Sequence, residues 1–566
     1  MRRACAGVLA LLALVAAAPD ARSQATPLPP PRLTEARAAD ILLADDGVHA
    51  WVDRYAEKDL VTQATYDSRY QDWTVKVWAG PAGQIAFGRV DDASGLVEHA
   101  WTGPQVAWPM ARGGGHVFGG KRLNSLLVWL GFCAVFVLGL ADLRRLRSVR
   151  NLDLLVLVSL TVSFWFFNNG RIFTSVPLVY PVLLYLLGRM LWIGRQNRAP
   201  VASRPVWPVW LLVAATIFLA GFRIGLLSDS MVIDVGYSGV IGAQRIADGR
   251  APYGRFPQAT GPRCGPEDRD GRAVLHVQDN GRCEKQNEHG DTYGPVAYEA
   301  YLPGYALFGW EGGNDPLHAA HFTAVVFDFV CLLGLVLVGL RYGDRRLAAT
   351  LAFAWAAFPF TQYVASTSSN DAIQPALLIF GFWLAASPWG RGAFAALASW
   401  TKFAPLVVAP LWATYPARRI RPTALFLAAF AAATLAAFWL LLLEPDPLDA
   451  LSTFWDHTVW NQFERDSPFS LWDWRQYHAG LPDLHVAQRV LQGLLLAGAV
   501  ALAFVPRRKS PLQLAALTGA ILIGFEIVLT HWFYLYVAWF FPFVAFALLA
   551  DNERGVAIVG ADQESS

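Results

Sequence analysis

Apolar stretches of bilayer-spanning length recur along most of this 566-residue chain, and that recurrence constrains its fold more than any other feature. They lie near 125–142, 152–168, 174–193, 207–227, 317–340, 347–365, 372–387, 422–443, 486–505, 511–530 and 532–550. A hydrocarbon core about 30 Å thick needs about 20 helical residues to cross it. The expected fold is therefore a polytopic α-helical membrane protein with about 11–13 membrane segments. A chain that is 55% hydrophobic and 16% charged is too apolar for an ordinary soluble domain. Its formal net charge of +2 arises from 46 basic and 44 acidic residues, which gives no support for a nucleic-acid partner.

Basic clusters fall on alternate connections: Arg144, Arg145, Arg147 and Arg150; Arg195, Arg198 and Arg204; Arg341, Arg345 and Arg346; Arg418, Arg419 and Arg421; Arg507, Arg508 and Lys509. The positive-inside rule assigns these to the cytoplasm. The loops 228–316 and 444–485 and the turn at Asn370-Asp371 then share the outer side with the N-terminal region. The segment from Gly392 to Tyr415 is flanked by Arg391 and Arg418-Arg419, so it must enter from the cytoplasm and return, with Lys402 near its tip. A lysine and two prolines, Pro405 and Pro410, are tolerated there when the irregular backbone lines a protein cavity. The alternative is one plain span with a snorkelling lysine.

The first 25 residues have the layout of a signal peptide, with an uncleaved anchor as the alternative: Arg2 and Arg3, an apolar run from Ala6 to Ala18, and a small-residue end at Ser23-Gln24-Ala25. Residues 26–120 read as a small extracytoplasmic α+β domain. Ala39, Leu42, Leu43 and Val52 have helical spacing within Ala36 to Tyr55, whereas Trp73, Val75 and Val77 alternate as in a strand. Turn signals at Gly80-Pro81-Ala82-Gly83 and at Asp91 to Gly95 delimit two further strands, giving a helix on a three-stranded meander. Residues 121–204 form a three-span accessory module, 205–550 the main membrane domain, and 551–566 a cytoplasmic tail. Cys264 and Cys283 are the two cysteines of the mature chain expected in the oxidising compartment, so a disulfide between them is expected. Cys133 and Cys331 fall in spans as small apolar fillers. No CxxC or HExxH metal-ligand spacing occurs, and no metal or cofactor is expected.

Chemistry is expected where carboxylates meet the membrane. Asp234-Val-Gly-Tyr237 follows the apolar segment from Trp210 to Leu227, and a carboxylate at that depth is costly unless it is used or paired. Asp229, five residues earlier, is its rival or a solvated helix-end acid. Arg245 lies on the helix expected to begin near Val235 and either faces a head group or is solvated. Asp371, beside Asn370, either hydrogen-bonds a sugar or serves as an N-cap. Trp455, Trp460, Phe463, Trp472, Trp474, His531, Trp532, Tyr534 and Tyr536 fit an interfacial aromatic belt or sugar-stacking faces. Glu464 and Arg465 mark either a polar pocket or a surface pair of little energy.

From about Trp207 to Ala550 the chain resembles the GT-C superfamily of membrane glycosyltransferases, and is similar to bacterial polyprenol-phosphate-mannose-dependent α-1,2-mannosyltransferases. The resemblance rests on Asp234 with Tyr237 three residues on, then Gly249, Pro252 and Tyr253. It continues through Tyr293-Gly294-Pro295, Asn370-Asp371, Lys402 with Pro405, and Ser467-Pro468-Phe469-Ser470. Residues 26–120 weakly resemble a PepSY-type module. The chain departs from the family in residues 26–204, in a polar insertion between Tyr253 and Tyr293, and in Gly236 and Gly239 beside the aspartate.

The resemblance implies an integral enzyme of a bacterial inner membrane whose active site is extracytoplasmic. Its donor would be a polyprenol-phosphate sugar, its acceptor a cell-envelope glycan or glycolipid, with membrane lipid around it and no nucleotide needed. Asp234 is then the general base, and Lys402 meets the donor phosphate. Tyr237, Arg245, Tyr253, Tyr293, Asn370 and Asp371 complete the expected substrate-binding set. A lipid-linked sugar flippase or transporter is the alternative; one-sided clustering of polar candidates and the lack of an internal repeat favour the enzyme. A membrane sensor is a third reading, disfavoured because no cytoplasmic effector domain is recognisable.

Overall fold

The computed structural model describes residues 30–68, 70–108, 125–198, 207–226, 232–254, 258–259, 275–277, 283–285, 290–310, 317–460, 462, 467–474 and 481–550. The expected signal peptide, the C-terminal tail, Asp229, Cys264, Glu464 and Arg465 lie outside the described residues, so the Cys264–Cys283 pairing does too. The chain divides into two compact units, Met1–Ala107 and Trp108–Ser566.

The first unit begins with helices α1 (Glu35–Leu43) and α2 (Asp46–Val52). The expected single helix is broken because Asp45 turns its carboxylate onto the amides of Gly47 and Val48, at 3.0 and 3.2 Å, and caps a new helix. A four-stranded antiparallel meander follows: β1 (Leu60–Asp67), β2 (Asp72–Ala79), β3 (Gln84–Asp91) and β4 (Val97–Thr102), paired in sequence order. The expectation of three strands missed β1. Only Ala64 of β1 is buried, so its apolar alternation is faint. Trp73, Val75 and Val77 of β2 pack with Ala86 and Val90 of β3 and with Ala38, Leu42 and Val48 of the helices. Asp92 accepts from the amides of Arg32 and Leu33 and from the Trp73 indole, tying the start of the described chain to the sheet.

The second unit is mainly helical, with three short antiparallel strands at Gln258–Ala259, Leu275–Val277 and Cys283–Lys285, and each expected apolar segment forms helix. Among the described residues five helices are long and apolar enough to cross a membrane: Val149–Asn168, Ile172–Gln196, His318–Tyr342, Ile420–Leu443 and His485–Phe504. A sixth candidate is the pair Arg345–Ala357 and Pro359–Ser366, bent by 60°. The count is below the expected 11–13 because other apolar stretches form shorter helices of 10–17 residues, among them Leu126–Leu140, Pro511–Ile527 and Tyr534–Leu549.

Pro359 cannot donate to the ladder, so the 60° bend exposes carbonyls, and a buried arginine meets them. Arg223 donates to Trp355 O and Ala356 O, both at 2.8 Å, and to Asp328 Oδ1 at 2.6 Å. The Trp355 indole also donates to Asp328, at 2.7 Å. Protein groups thus satisfy the broken helix, as an apolar surrounding requires.

The segment around Lys402 is a helical hairpin with arms Pro388–Ser399 and Ala404–Ala413. Arg391, in the first turn of one arm, donates to Trp412 O at 2.7 Å and Tyr415 O at 2.8 Å, at the far end of the other arm, and also to Ala385 O. The two arms therefore start and finish together. At 12 and 10 residues they are about 18 and 15 Å long, short of a 30 Å core.

Candidate functional site

Three segments converge on one place. The helix Asp234–Ala247 presents Asp234 in its first turn, where a carboxylate is favoured by the helix dipole. Its glycines let it settle deeply: a Cβ on Gly236 would lie 2.3 Å from Ser368 O, and one on Gly239 would lie 2.4 Å from the Tyr301 ring. Glycine at 236 and 239 is thus a packing requirement of this helix. Ile233 N donates to Thr367 O at 3.2 Å, joining the start of the helix to the turn that carries Asp371. In that turn Ser368 has φ of +52°, an uncommon conformation for a residue with a side chain.

The hairpin tip brings Lys402 to Asp371. Lys402 Nζ lies 2.5 Å from Asp371 Oδ1, and the Trp539 indole donates to the same oxygen at 3.0 Å. Three rings face the ammonium: Tyr293, Tyr536 and Trp539, with centroids 5.4, 5.3 and 5.2 Å away. Lys402 is 9% exposed and Asp371 fully buried, so the surroundings of the lysine head are a carboxylate and aromatic faces. Asp371 Oδ2 has no hydrogen-bond partner among the described residues.

These groups line a cavity of about 490 Å³, a size typical of small-ligand sites. Asp234, Thr292, Tyr293, Asp371, Lys402 and His531 supply polar wall. Val407, Leu495, Leu496, Phe525, Val528 and Leu529 supply an apolar one. Gln488 and Gln492 donate to Val528 O at 3.0 and 3.2 Å, bracing the apolar wall where the helix Pro511–Ile527 ends.

Of the expected site residues, Asp234, Tyr293, Asp371 and Lys402 therefore share one cavity. Four are absent from its lining. Tyr237 is buried in a separate cluster with Ile241 and Tyr301, against Trp310. Arg245 sits in the last turn of the Asp234–Ala247 helix, about 16 Å along the axis from Asp234, too far to share its wall. Tyr253 is buried against Phe454 and supports the cavity from behind, its hydroxyl donating to Tyr293 O at 3.3 Å. Asn370 is buried, and its Oδ1 lacks a hydrogen-bond partner among the described residues.

Sequence reasoning missed Trp539 and left His531 and Tyr536 as either an interfacial belt or sugar-stacking faces. His531 lines the cavity and its Nδ1 lies 3.0 Å from Ser467 Oγ. Tyr536 stacks on Trp539 at 4.1 Å. Their signal was weak because aromatic residues near span ends are ordinary. Asp291 and His457 were also missed. Asp291 Oδ2 accepts from Gly254 N at 2.6 Å and lies 2.8 Å from His457 Nδ1. That bond raises the His457 pKa above its ordinary value, against the opposing effect of partial burial. Among the described residues no group of three or more His, Cys, Asp or Glu side chains is arranged to hold a metal ion. No family model matches the chain, and no curated protein matches it significantly.

Proposed function

We propose that this protein is a membrane glycosyltransferase that moves a hexose, mannose-like, from a polyprenol-phosphate sugar to an extracytoplasmic glycan or glycolipid acceptor. The observation that carries the reading is the cavity itself, which joins a carboxylate and a buried ammonium at its polar wall to an apolar wall of leucine, valine and phenylalanine. A donor with a prenyl tail, a phosphate and a sugar has that same division. The phosphate is already a leaving group, so the protein's tasks are to orient the acceptor hydroxyl, remove its proton and stabilise the departing phosphate.

Asp234 is the proposed general base, since its carboxylate lines the same cavity as the Lys402 ammonium, where an acceptor hydroxyl can come within hydrogen-bond reach. Lys402 is the proposed phosphate ligand. It stands just before the N-terminal turn of the arm Ala404–Ala413, whose dipole also favours an anion. Asp371 and the three rings hold the ammonium in place before the donor arrives, so that little rearrangement is needed on binding.

The test is transfer by purified protein from a panel of polyprenol-phosphate sugars to envelope lipid acceptors. Asp234→Asn is expected to lose activity by about 100-fold or more with an unchanged melting temperature, the scale of a lost general base. Lys402→Arg, which keeps the charge but changes its geometry, is expected to raise the donor KM. Retained transfer in Asp234→Asn, or sugar translocation without transfer in reconstituted vesicles, overturns the reading.

A further inference from the structure

A continuous set of contacts runs from the outer loops to the hairpin tip. It begins at the turn Trp455–Trp460, a stretch of π-helix, a geometry often found at functional sites. Trp455 and Val459, four residues apart, both line the cavity. The intervening His457 and Thr458 instead bind Asp291: His457 Nδ1 lies 2.8 Å from Oδ2, and Thr458 Oγ1 donates to the Asp291 carbonyl at 3.0 Å. Asp291 is buried, while the His457 side chain is 41% exposed.

The next residues, Thr292 and Tyr293, are cavity wall. Their backbone is fixed by Tyr298, whose hydroxyl donates to Gly290 O at 2.8 Å and accepts from Tyr293 N at 3.2 Å. The chain then lies directly on the hairpin tip. Val296 N donates to Trp400 O at 3.1 Å, and a Cβ on Gly294 would stand 2.0 Å from that same oxygen, so only glycine fits. Two residues beyond Trp400 is Lys402, with Tyr293 over its ammonium.

We infer that Asp291 and His457 form a positioning pair for the donor site. By clamping the outer loop onto the Thr292–Tyr293 segment, they fix where the Tyr293 ring meets Lys402 and thereby set the affinity for the donor's phosphate head group. The inference rests on the reading of the cavity as a lipid-phosphate site. Neither residue touches the donor; both act through Tyr293. The clamp also closes the base of the polar insertion, because Gly254, at its start, donates to the carboxylate of Asp291, near its end.

The clamp is sensitive to protonation. Among the described residues, the charged groups acting on the imidazole are Asp291, from the turn it faces, and its neighbour Asp456, and both favour the imidazolium. The pair is strongest with His457 charged. That contribution is complete below the ordinary histidine value and declines as pH rises through the elevated value of the folded protein.

The experiment uses the full chain in lipid nanodiscs, comparing wild type, His457→Ala and His457→Gln, the last of which keeps a side-chain donor. Hydrogen exchange of the Tyr293 and Val296 amides is measured alongside the donor KM and kcat. In His457→Ala those amides are expected to exchange faster and the donor KM to rise about tenfold, with kcat within about twofold, the signature of lost ground-state binding. Partial rescue is expected in His457→Gln. The wild-type KM is expected to climb in alkaline solution, and this climb should be absent from both variants. Unchanged exchange in His457→Ala overturns the inference whether or not the protein transfers sugar. Unchanged KM in a protein that does transfer overturns it as well. Failure of wild type to transfer from any donor counts against the glycosyltransferase reading, and the exchange measurement then judges the clamp independently.

Discussion

Lys402 and Asp371 form a nearly dry ion pair, and such pairs are informative when their partners are removed separately and together. Taking away Lys402 alone leaves the Asp371 carboxylate, among the described residues, with the Trp539 indole, while taking away Asp371 removes the carboxylate from an ammonium that faces three rings. Each single change is expected to cost about 3–5 kcal/mol, the scale for breaking a buried ion pair. The double variant Lys402→Met with Asp371→Leu is expected to be more stable than either single one, as read from thermal unfolding in detergent. Lys402 was legible in the sequence because a cation inside an apolar stretch stands out. Its carboxylate partner was singled out only as a sugar ligand or a helix cap. The pairing depends on two segments 31 residues apart, which no local pattern encodes. Trp539 was harder still, since one tryptophan in an apolar helix looks like any other until its N–H is seen to meet a carboxylate.

Among the elements, the hairpin was the most legible and β1 the least. Basic residues at both flanks of the Lys402 segment required an even number of crossings, and the arms do return to their starting level. What the flanks did not disclose is that Arg391 is structural. It is fully buried, and its guanidinium binds carbonyls at the base of the hairpin. Arg391→Leu is expected to destabilise the protein by about 3 kcal/mol or more, because hydrogen bonds from a charged donor are lost and their buried acceptors are left bare. Lysine should restore only part of this, having no planar fork to serve several carbonyls at once. Melting temperatures of the two variants check the order. By contrast β1 escaped notice because an edge strand with a single buried residue carries little periodic signal.

At the scale of the whole molecule, a small α+β unit precedes a helical one with several helices of membrane-crossing length and character. The first unit has its own core, so residues 30–107 expressed alone are expected to unfold cooperatively. Burial works against ionisation of Asp92, but the amides of Arg32 and Leu33 and the Trp73 indole outweigh it and hold its pKa below the usual carboxylate range. Its stabilisation is therefore present above about pH 4, the ordinary aspartate range, and is lost as pH falls through the lower folded value. Asp92→Asn is expected to lower the melting temperature at neutral pH and to flatten its acid dependence, as followed by circular dichroism. The apolar runs and basic connections conveyed the helical plan of the second unit, whereas the number of full-length helices was obscured because broken and unbroken segments have the same hydropathy. The two arms that meet at Lys402 also act as a ruler. Fastened together at Arg391, they set how far the ammonium reaches from its anchor, and one added helical turn in both would carry it about 5 Å farther. The reach of the charge is thus written in residue count, and lengthening or shortening the arms would retune it without altering any group that meets the cavity.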